Sequence, residues 1–308
     1  MNPLVRAIPS PLVRLFARPY VAGDSLREAI EVAAGNLEAR GLLTSLDLLA
    51  EGIDTDSVVA ANRQTYLDMI DAVADDPRFI DAAIRPTLSL KQSSYTTAPL
   101  ENGGDGAGAR DAVFAIARHA AERDVQLTVD MESSHWTDFT LETLRELHAA
   151  GLSDVGAVIQ TRLHRSEADL NALPEGCRAR LVIGIYQEDR AVAITDKNKM
   201  KERLLTFSRT LLKRGHYVEF GTHDEHYLRR FVDELIPELG VGTDTFEVQL
   251  LYGVPRDKLL REFTERGIRV RLYVPFAVGW PMAIAYLRRR LDEYPAMMFL
   301  VAKNMFGF

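Results

Sequence analysis

Eight times along the chain, a short run rich in Leu, Val and Ile ends on polar residues and gives way to a helix-period stretch of Ala, Leu, Glu and Arg. The runs cover residues 46–51, 83–91, 125–130, 155–160, 179–186, 217–222, 246–252 and 270–274. Strands separated by helices pair in parallel, because each helix crosses back over the sheet before the next strand begins. Eight such units in about 260 residues are the complement of a closed (βα)8 TIM-type barrel. Periodicity alone leaves an open doubly wound sheet as the alternative.

Residues 43–308 read as the barrel and residues 1–42 as an N-terminal helical arm. The first 23 residues carry Arg6, Arg14 and Arg18, and no acid precedes Asp24. Arg-rich, acid-poor starts occur in transit peptides. Pro3, Pro9, Pro11 and Pro19 interrupt any long helix, however, and no run reaches the ~20 apolar residues that span a bilayer. The expectation is a short arm packed on the barrel, with contact at a membrane surface as the lesser option. Acids exceed bases by 44 − 37 = 7 with no long basic run, which argues against nucleic acid as a partner. The one cysteine, Cys177, excludes an internal disulfide and fits a reducing, cytoplasmic compartment. No activating partner for it is evident, so it reads as an ordinary residue near a strand start.

In a barrel the strand C-termini converge on one rim, where active sites are built. Glu51, Lys91, Asp130, Gln160, Tyr186, Thr222 and His223 all stand at strand ends. Each alone is read more simply as a cap or solvated loop residue; their recurrence favours a shared pocket. Two motifs are set aside. Gly104-Asp-Gly106-Ala-Gly-Ala109 has the spacing of a dinucleotide fingerprint, yet residues 92–102 separate it from its strand. His223 and His226 have the spacing of a metal pair, but no further ligand cluster stands out and no metal is expected. Near the C-terminus, Tyr286, Arg289, Arg290 and Glu293 share one helical face. Paired guanidiniums beside a tyrosine suit a planar carboxylate; arginines compensating a helix dipole are the simpler reading. Lys91 at a strand end also admits a Schiff-base aldolase or lyase.

These segments together resemble the proline dehydrogenase family, in the family's order. Tyr286-x-x-Arg289-Arg290-x-x-Glu293 resembles its substrate-binding helix, and Leu48-Leu-Ala-Glu51 its L-G-E segment with Ala50 for glycine. Leu90-Lys91, Val129-Asp130-Met-Glu132 and Val158-Ile-Gln160 resemble its second-, third- and fourth-strand motifs. Arg180-Leu-Val-Ile-Gly-Ile-Tyr186 resembles R-L-V-K-G-A-Y, and Gly221-Thr222-His223-Asp224 resembles A-T-H-D. Glu247-Val-Gln249-Leu-Leu-Tyr-Gly253 and Arg271-Leu-Tyr273-Val-Pro275 resemble E-F-Q-M-L-Y-G and R-x-Y-x-P.

The resemblance implies a distorted (βα)8 barrel, noncovalent FAD and oxidation of L-proline to Δ1-pyrroline-5-carboxylate, with hydride passing from proline C5 to flavin N5 and electrons onward to a quinone. It implies catalytic roles for Asp130 and Arg180. It assigns substrate contacts to Lys91, Arg289, Arg290, Tyr273, Tyr286, Tyr186 and Leu251, and a gating ion pair to Glu51 and Arg289. FAD contacts fall on Met131, Gln160, Arg180, Ile183, Gly184, Ile185, Thr222 and His223. A separate pyrroline-5-carboxylate dehydrogenase would act next, and quinone reduction implies peripheral contact with the inner face of a membrane. The departure is at Ile183 and Ile185, where the family carries Lys and Ala; a cation expected near the cofactor is absent. No amine base is evident. A barrel that binds flavin without catalysis is the remaining reading. Tyr286 should crowd the face where a ring hydroxyl would sit, so proline is expected to be turned over in preference to hydroxyproline. Comparable kcat/KM for the two substrates would contradict this.

Overall fold

The structure, a computed structural model, describes residue 13, residues 19–50 and 53–281, and residues 284 and 288. Eight parallel strands alternate with helices. They are β1 (Leu43–Leu48), β2 (Thr87–Leu90), β3 (Leu127–Val129), β4 (Val155–Gln160), β5 (Ala179–Val182), β6 (Val218–Gly221), β7 (Phe246–Leu251) and β8 (Val270–Phe276). Each strand pairs with the next, and β1 pairs with β8 over six residues, so the sheet closes. The open-sheet alternative is thereby excluded. Strand bounds are tighter than the apolar runs suggest. β2 starts only after Pro86, and β5 stops at Val182 because Gly184 turns away with φ +85°.

Helix α1 (Leu26–Arg40) precedes β1. Ser25 caps it, and Ala29, Ile30, Ala33 and Ala34 join the barrel core. α2 (Asp56–Asp75) and α3 (Ala109–Glu122) follow β1 and β2; α3 buries Ala109, Ala112, Val113, Ile116, Ala117 and Ala120, the stripe that a 3.6-residue period demands. α4 (Thr137–Ala149), α5 (Ser166–Asn171) and α6 (Lys197–Lys213) follow in turn. α7 (Glu225–Arg229) runs through a π-helical turn at Arg230–Leu235 into α8 (Ile236–Leu239), and α9 (Asp257–Glu265) leads to β8. The π turn carries Phe231, which stacks on Phe220 at 4.2 Å and meets Phe246 edge-on. Ahead of α1, the chain runs along β8: the Ala22 amide donates to the Pro275 carbonyl at 2.9 Å. Pro19 lies so close to Gly253 that any side chain there would strike its carbonyl oxygen. Among the described residues, no helix is long and apolar enough to cross a membrane.

Most outward strand positions are apolar and face the helices, whereas many inward ones are polar or charged. Ser45 and Asp47, Ser89 and Lys91, Asp130, Arg180, Glu219, Glu247 and Gln249, and Arg271 and Tyr273 alternate with Leu, Val and Phe. Glu219 is 2% exposed and takes Arg180 Nε at 3.2 Å, Gln249 Nε2 at 2.7 Å and Arg178 as ion-pair partner. Gln249 also donates to Glu247 at 2.6 Å. Glu247 grips Arg271 through Nε at 2.6 Å and Nη2 at 3.0 Å, and Arg271 donates onward to the Thr44 carbonyl. The barrel centre is therefore a connected ionic network.

Burial works against a charged Glu219, but Arg178, Arg180 and Arg271 outweigh it and hold the carboxyl below the usual glutamate range. A depressed folded pKa contributes stability above the unfolded value, and that stability is lost as pH falls through the folded one. Glu219→Gln should cost about 3–5 kcal/mol at pH 7, since it strands buried guanidiniums. Denaturant unfolding should show this deficit shrinking as pH drops below about 4; a deficit that grows toward acid pH would contradict the assignment.

Candidate active site

Above that network, four predicted residues meet. Asp130, just past β3, is held by its amide on the Leu90 carbonyl at 2.8 Å. Its carboxylate takes Arg180 Nη1 at 2.8 Å and the Tyr273 hydroxyl at 2.6 Å, and lies 3.7 Å from Lys91 Nζ. Arg180 also donates to Ser89 Oγ at 3.0 Å, and its guanidinium sits 5.2 Å from the Tyr273 ring centroid. Lys91 follows β2 directly and reaches the Tyr273 hydroxyl at 3.4 Å. Tyr273 thus donates to Asp130 and faces the lysine. Burial and the carboxylates of Asp130 and Asp47 keep its phenol well above the usual range, so it is a neutral donor.

An equally short contact in the cluster involves a residue outside the sequence expectations. Lys91 Nζ lies 2.6 Å from Asp47 Oδ1, and the Asp47 side chain is 2% exposed. Burial favours the neutral form of both partners. It raises the Asp47 carboxyl, and the neighbouring Asp130 charge raises it further, against the pull of Lys91. For Lys91, burial is outweighed by Asp47 and Asp130 together, and the amine is held above the ordinary lysine range. Two carboxylates face one ammonium, which favours the charged form of Lys91. The signal for Asp47 was the in-out alternation of Ser45 and Asp47 on β1, which places both inside the barrel.

The predicted cofactor contacts lie near strand C-termini of the same rim, and among them Gly184 touches Gln160. Gln160, 3% exposed at the end of β4, donates to the Glu132 carbonyl at 2.6 Å, while its Oε1 is buried with no partner among the described residues. Gly184 lies against that oxygen; a side chain at 184 would collide with the carboxamide. Met131 is buried, and Thr222 is half-buried. Arg180 is 4% exposed, and the polar contacts of its guanidinium are to Asp130, Ser89 and Glu219. Ile183 packs against the core and Ile185 is exposed, so neither replaces the missing family cation. Arg162 donates to the Tyr186 carbonyl, and Glu188 accepts from the Ser134 amide at 2.7 Å and hydroxyl at 2.6 Å, which ties this strand-end loop to the one after β3. Leu251 is half-buried at the end of β7. His223 is exposed; its carbonyl accepts from Arg256.

The Gly104–Ala109 segment leads into α3, whose first residue is Ala109, and is separated from β2 by two 3-10 turns, Gln92–Tyr95 and Leu100–Asn102. Among the described residues, no group of three or more His, Cys, Asp and Glu is arranged to hold a metal. Glu51, Tyr286, Arg289 and Arg290 lie outside the described residues. Besides Asp47, sequence reasoning missed Glu132. It is 6% exposed, accepts from the Ser93 amide at 3.0 Å and from the Ser93 hydroxyl, and steadies the loop after Lys91.

A family model described as Proline dehydrogenase matches residues 31–300. The proline dehydrogenase of Deinococcus radiodurans is 36% identical over 297 residues, 94% of this chain and 90% of its own. Proline dehydrogenase 1 of Bacillus subtilis subsp. natto is 30% identical over 293 residues, 95% of this chain and 91% of its own. Among solved structures, proline utilization A from Bdellovibrio bacteriovorus inactivated by N-propargylglycine superposes with a TM-score of 0.79 at 19% identity over 92% of this chain. A mutant of Bradyrhizobium japonicum proline utilization A does so with a TM-score of 0.71 at 21% identity over 98%. This chain spans only 33% and 34% of those longer chains, and the likeness bears on the fold. Matched by the family model over most of its length, and by relatives at 30–36% identity over nearly all of it, the chain belongs to the proline dehydrogenase family of enzymes.

Proposed function

We propose that this enzyme oxidises L-proline to Δ1-pyrroline-5-carboxylate with FAD and passes the electrons to a quinone. The observation that carries the reading is a cationic Lys91 at the barrel rim, beside Asp130, Arg180 and Tyr273. An ammonium held in a partly dehydrated pocket is a receptor for a carboxylate. Arg289 and Arg290, on the segment that resembles the family's substrate helix, would complete that receptor. Tyr273, Tyr186, Tyr286 and Leu251 would wall the ring, and Asp130, locked by Arg180, would set the charge balance against which the substrate binds. Glu51 would hold Arg289 in the gate. This chain's residues bind and orient.

The site residues fit a flavin. The Gln160 Oε1 atom is a buried acceptor without a partner among the described residues, and Gly184 packs directly against it. Met131, Gln160, Arg180, Gly184, Thr222 and His223 would hold the cofactor, with Ile183 and Ile185 lining it without charge. When bound, FAD would supply the two-electron acceptor, its N5 receiving hydride from proline C5. The Schiff-base alternative needs a neutral amine at Lys91, and the paired carboxylates oppose one. Residues 1–42 would form an arm on a barrel of residues 43–308. The arm's apolar, Arg-bearing start would be the place of peripheral contact at the inner face of a membrane, where a quinone is met. A separate dehydrogenase would consume the product.

The purified protein should show a flavin spectrum that anaerobic proline bleaches. Lys91→Met should raise KM for proline about tenfold or more, because a charge-assisted bond is worth about 1.5–3 kcal/mol. Lack of any flavin spectrum after reconstitution with FAD would reject the reading. So would trapping of an adduct on Lys91 by borohydride with substrate.

A further inference from the structure

We infer that Glu188 is a positioning residue that joins the loops on either side of β4, closing an arch over Gln160 that slows release of the flavin cofactor. The arch is drawn from side-chain contacts; its consequence for FAD rests on the function proposed above.

β3, β4 and β5 are neighbours in the barrel, in that order. Ser134 stands in the loop after β3 and Glu188 in the loop after β5. Strands two places apart lie roughly 10 Å from each other, so loops at their ends meet only by leaning across the strand between them. These two meet closely: Glu188 accepts from the Ser134 amide at 2.7 Å and from the Ser134 hydroxyl at 2.6 Å. The strand beneath them, β4, ends on Gln160, which is only 3% exposed although it stands at a strand end. Its Nε2 is committed to the Glu132 carbonyl at 2.6 Å, and its Oε1 is a buried acceptor without a partner among the described residues. A buried acceptor is costly unless a donor reaches it. The flavin ring carries a donor of that kind. The two ends of the arch differ. On the β3 side, Trp136 is fully buried and donates to Glu101 at 2.6 Å, which holds the turn that begins at Ser134. On the β5 side, Glu188 belongs to a largely irregular connection, residues 183–196, where Arg162 donates to the Tyr186 carbonyl. Ser134 and Glu188 are both half-buried. A tie of this kind opens without unfolding of either strand, so it governs how fast a bound group leaves rather than whether the barrel forms.

The test measures release of FAD, by the fluorescence of freed flavin after dilution, from the reconstituted parent, Glu188→Ala, Ser134→Ala and the double variant. Hydrogen exchange at the residue 134 amide is followed in the FAD-free proteins. Glu188→Ala should release FAD about tenfold faster or more, because both bonds to a charged acceptor are lost. Ser134→Ala keeps the amide bond and should fall between Glu188→Ala and the parent. The double variant should be no faster than Glu188→Ala, since both changes break one tie. The residue 134 amide should exchange about tenfold faster or more in Glu188→Ala than in the parent. Release at the parent rate in Glu188→Ala would overturn the proposal, whether or not exchange changes, because a tie that only stiffens the rim does not hold the cofactor. Should Glu188→Ala not fold, Ser134→Ala decides: release no faster than in the parent overturns the arch. If the parent takes up no FAD, the function proposed above fails and the cofactor role with it, while exchange at residue 134 still decides whether Glu188 closes the arch.

Discussion

Everything at this site depends on keeping opposite charges matched in the barrel interior. Small parallel barrels commonly fill their centre with layers of branched apolar side chains. Here the inward positions carry Asp47, Asp130, Glu219 and Glu247 against Lys91, Arg178, Arg180 and Arg271. Isolated charges could not be buried at these depths; paired and hydrogen-bonded, they can. The helices and the outward strand faces carry the apolar core, which leaves the interior free for recognition.

The network has a direction. Glu219 and Glu247 fix the guanidiniums of Arg178, Arg180 and Arg271 near the barrel's middle. Arg180 then presents a fixed donor to Asp130, and Asp130 orients the Tyr273 hydroxyl. At the rim stands Lys91, paired with Asp47. A network fixed in this way leaves little ordering to be done at the rim when a ligand binds.

Much of this was legible in the sequence, but unevenly. The eight strand–helix units gave the barrel because each strand is short, apolar and followed by a helical period. Lys91, Asp130 and Tyr273 were found because they stand at or near strand ends in segments that resemble family motifs. Asp47 was passed over because it stands inside a strand, between Leu46 and Leu48, where a lone carboxylate reads as an anomaly until the closure of β1 onto β8 gives it an interior. Its partner is 44 positions away, and no local pattern links them. The same holds for Glu219 and Glu247, whose roles exist only once β5, β6, β7 and β8 stand side by side. Strand limits were overestimated where a glycine with positive φ, Gly184, or a proline, Pro86, ended regular pairing.

Arg178, near the foot of β5, holds the carbonyls of Leu127 and Asp154 as well as Glu219. Through Glu219, Arg180 and Asp130 it is joined, bond by bond, to the hydroxyl that faces Lys91. The foot and the mouth of the barrel therefore cannot drift independently. Over evolutionary time such an interior should change by exchange of matched partners rather than by single steps. Its inward residues should vary as linked sets, even between positions that never touch.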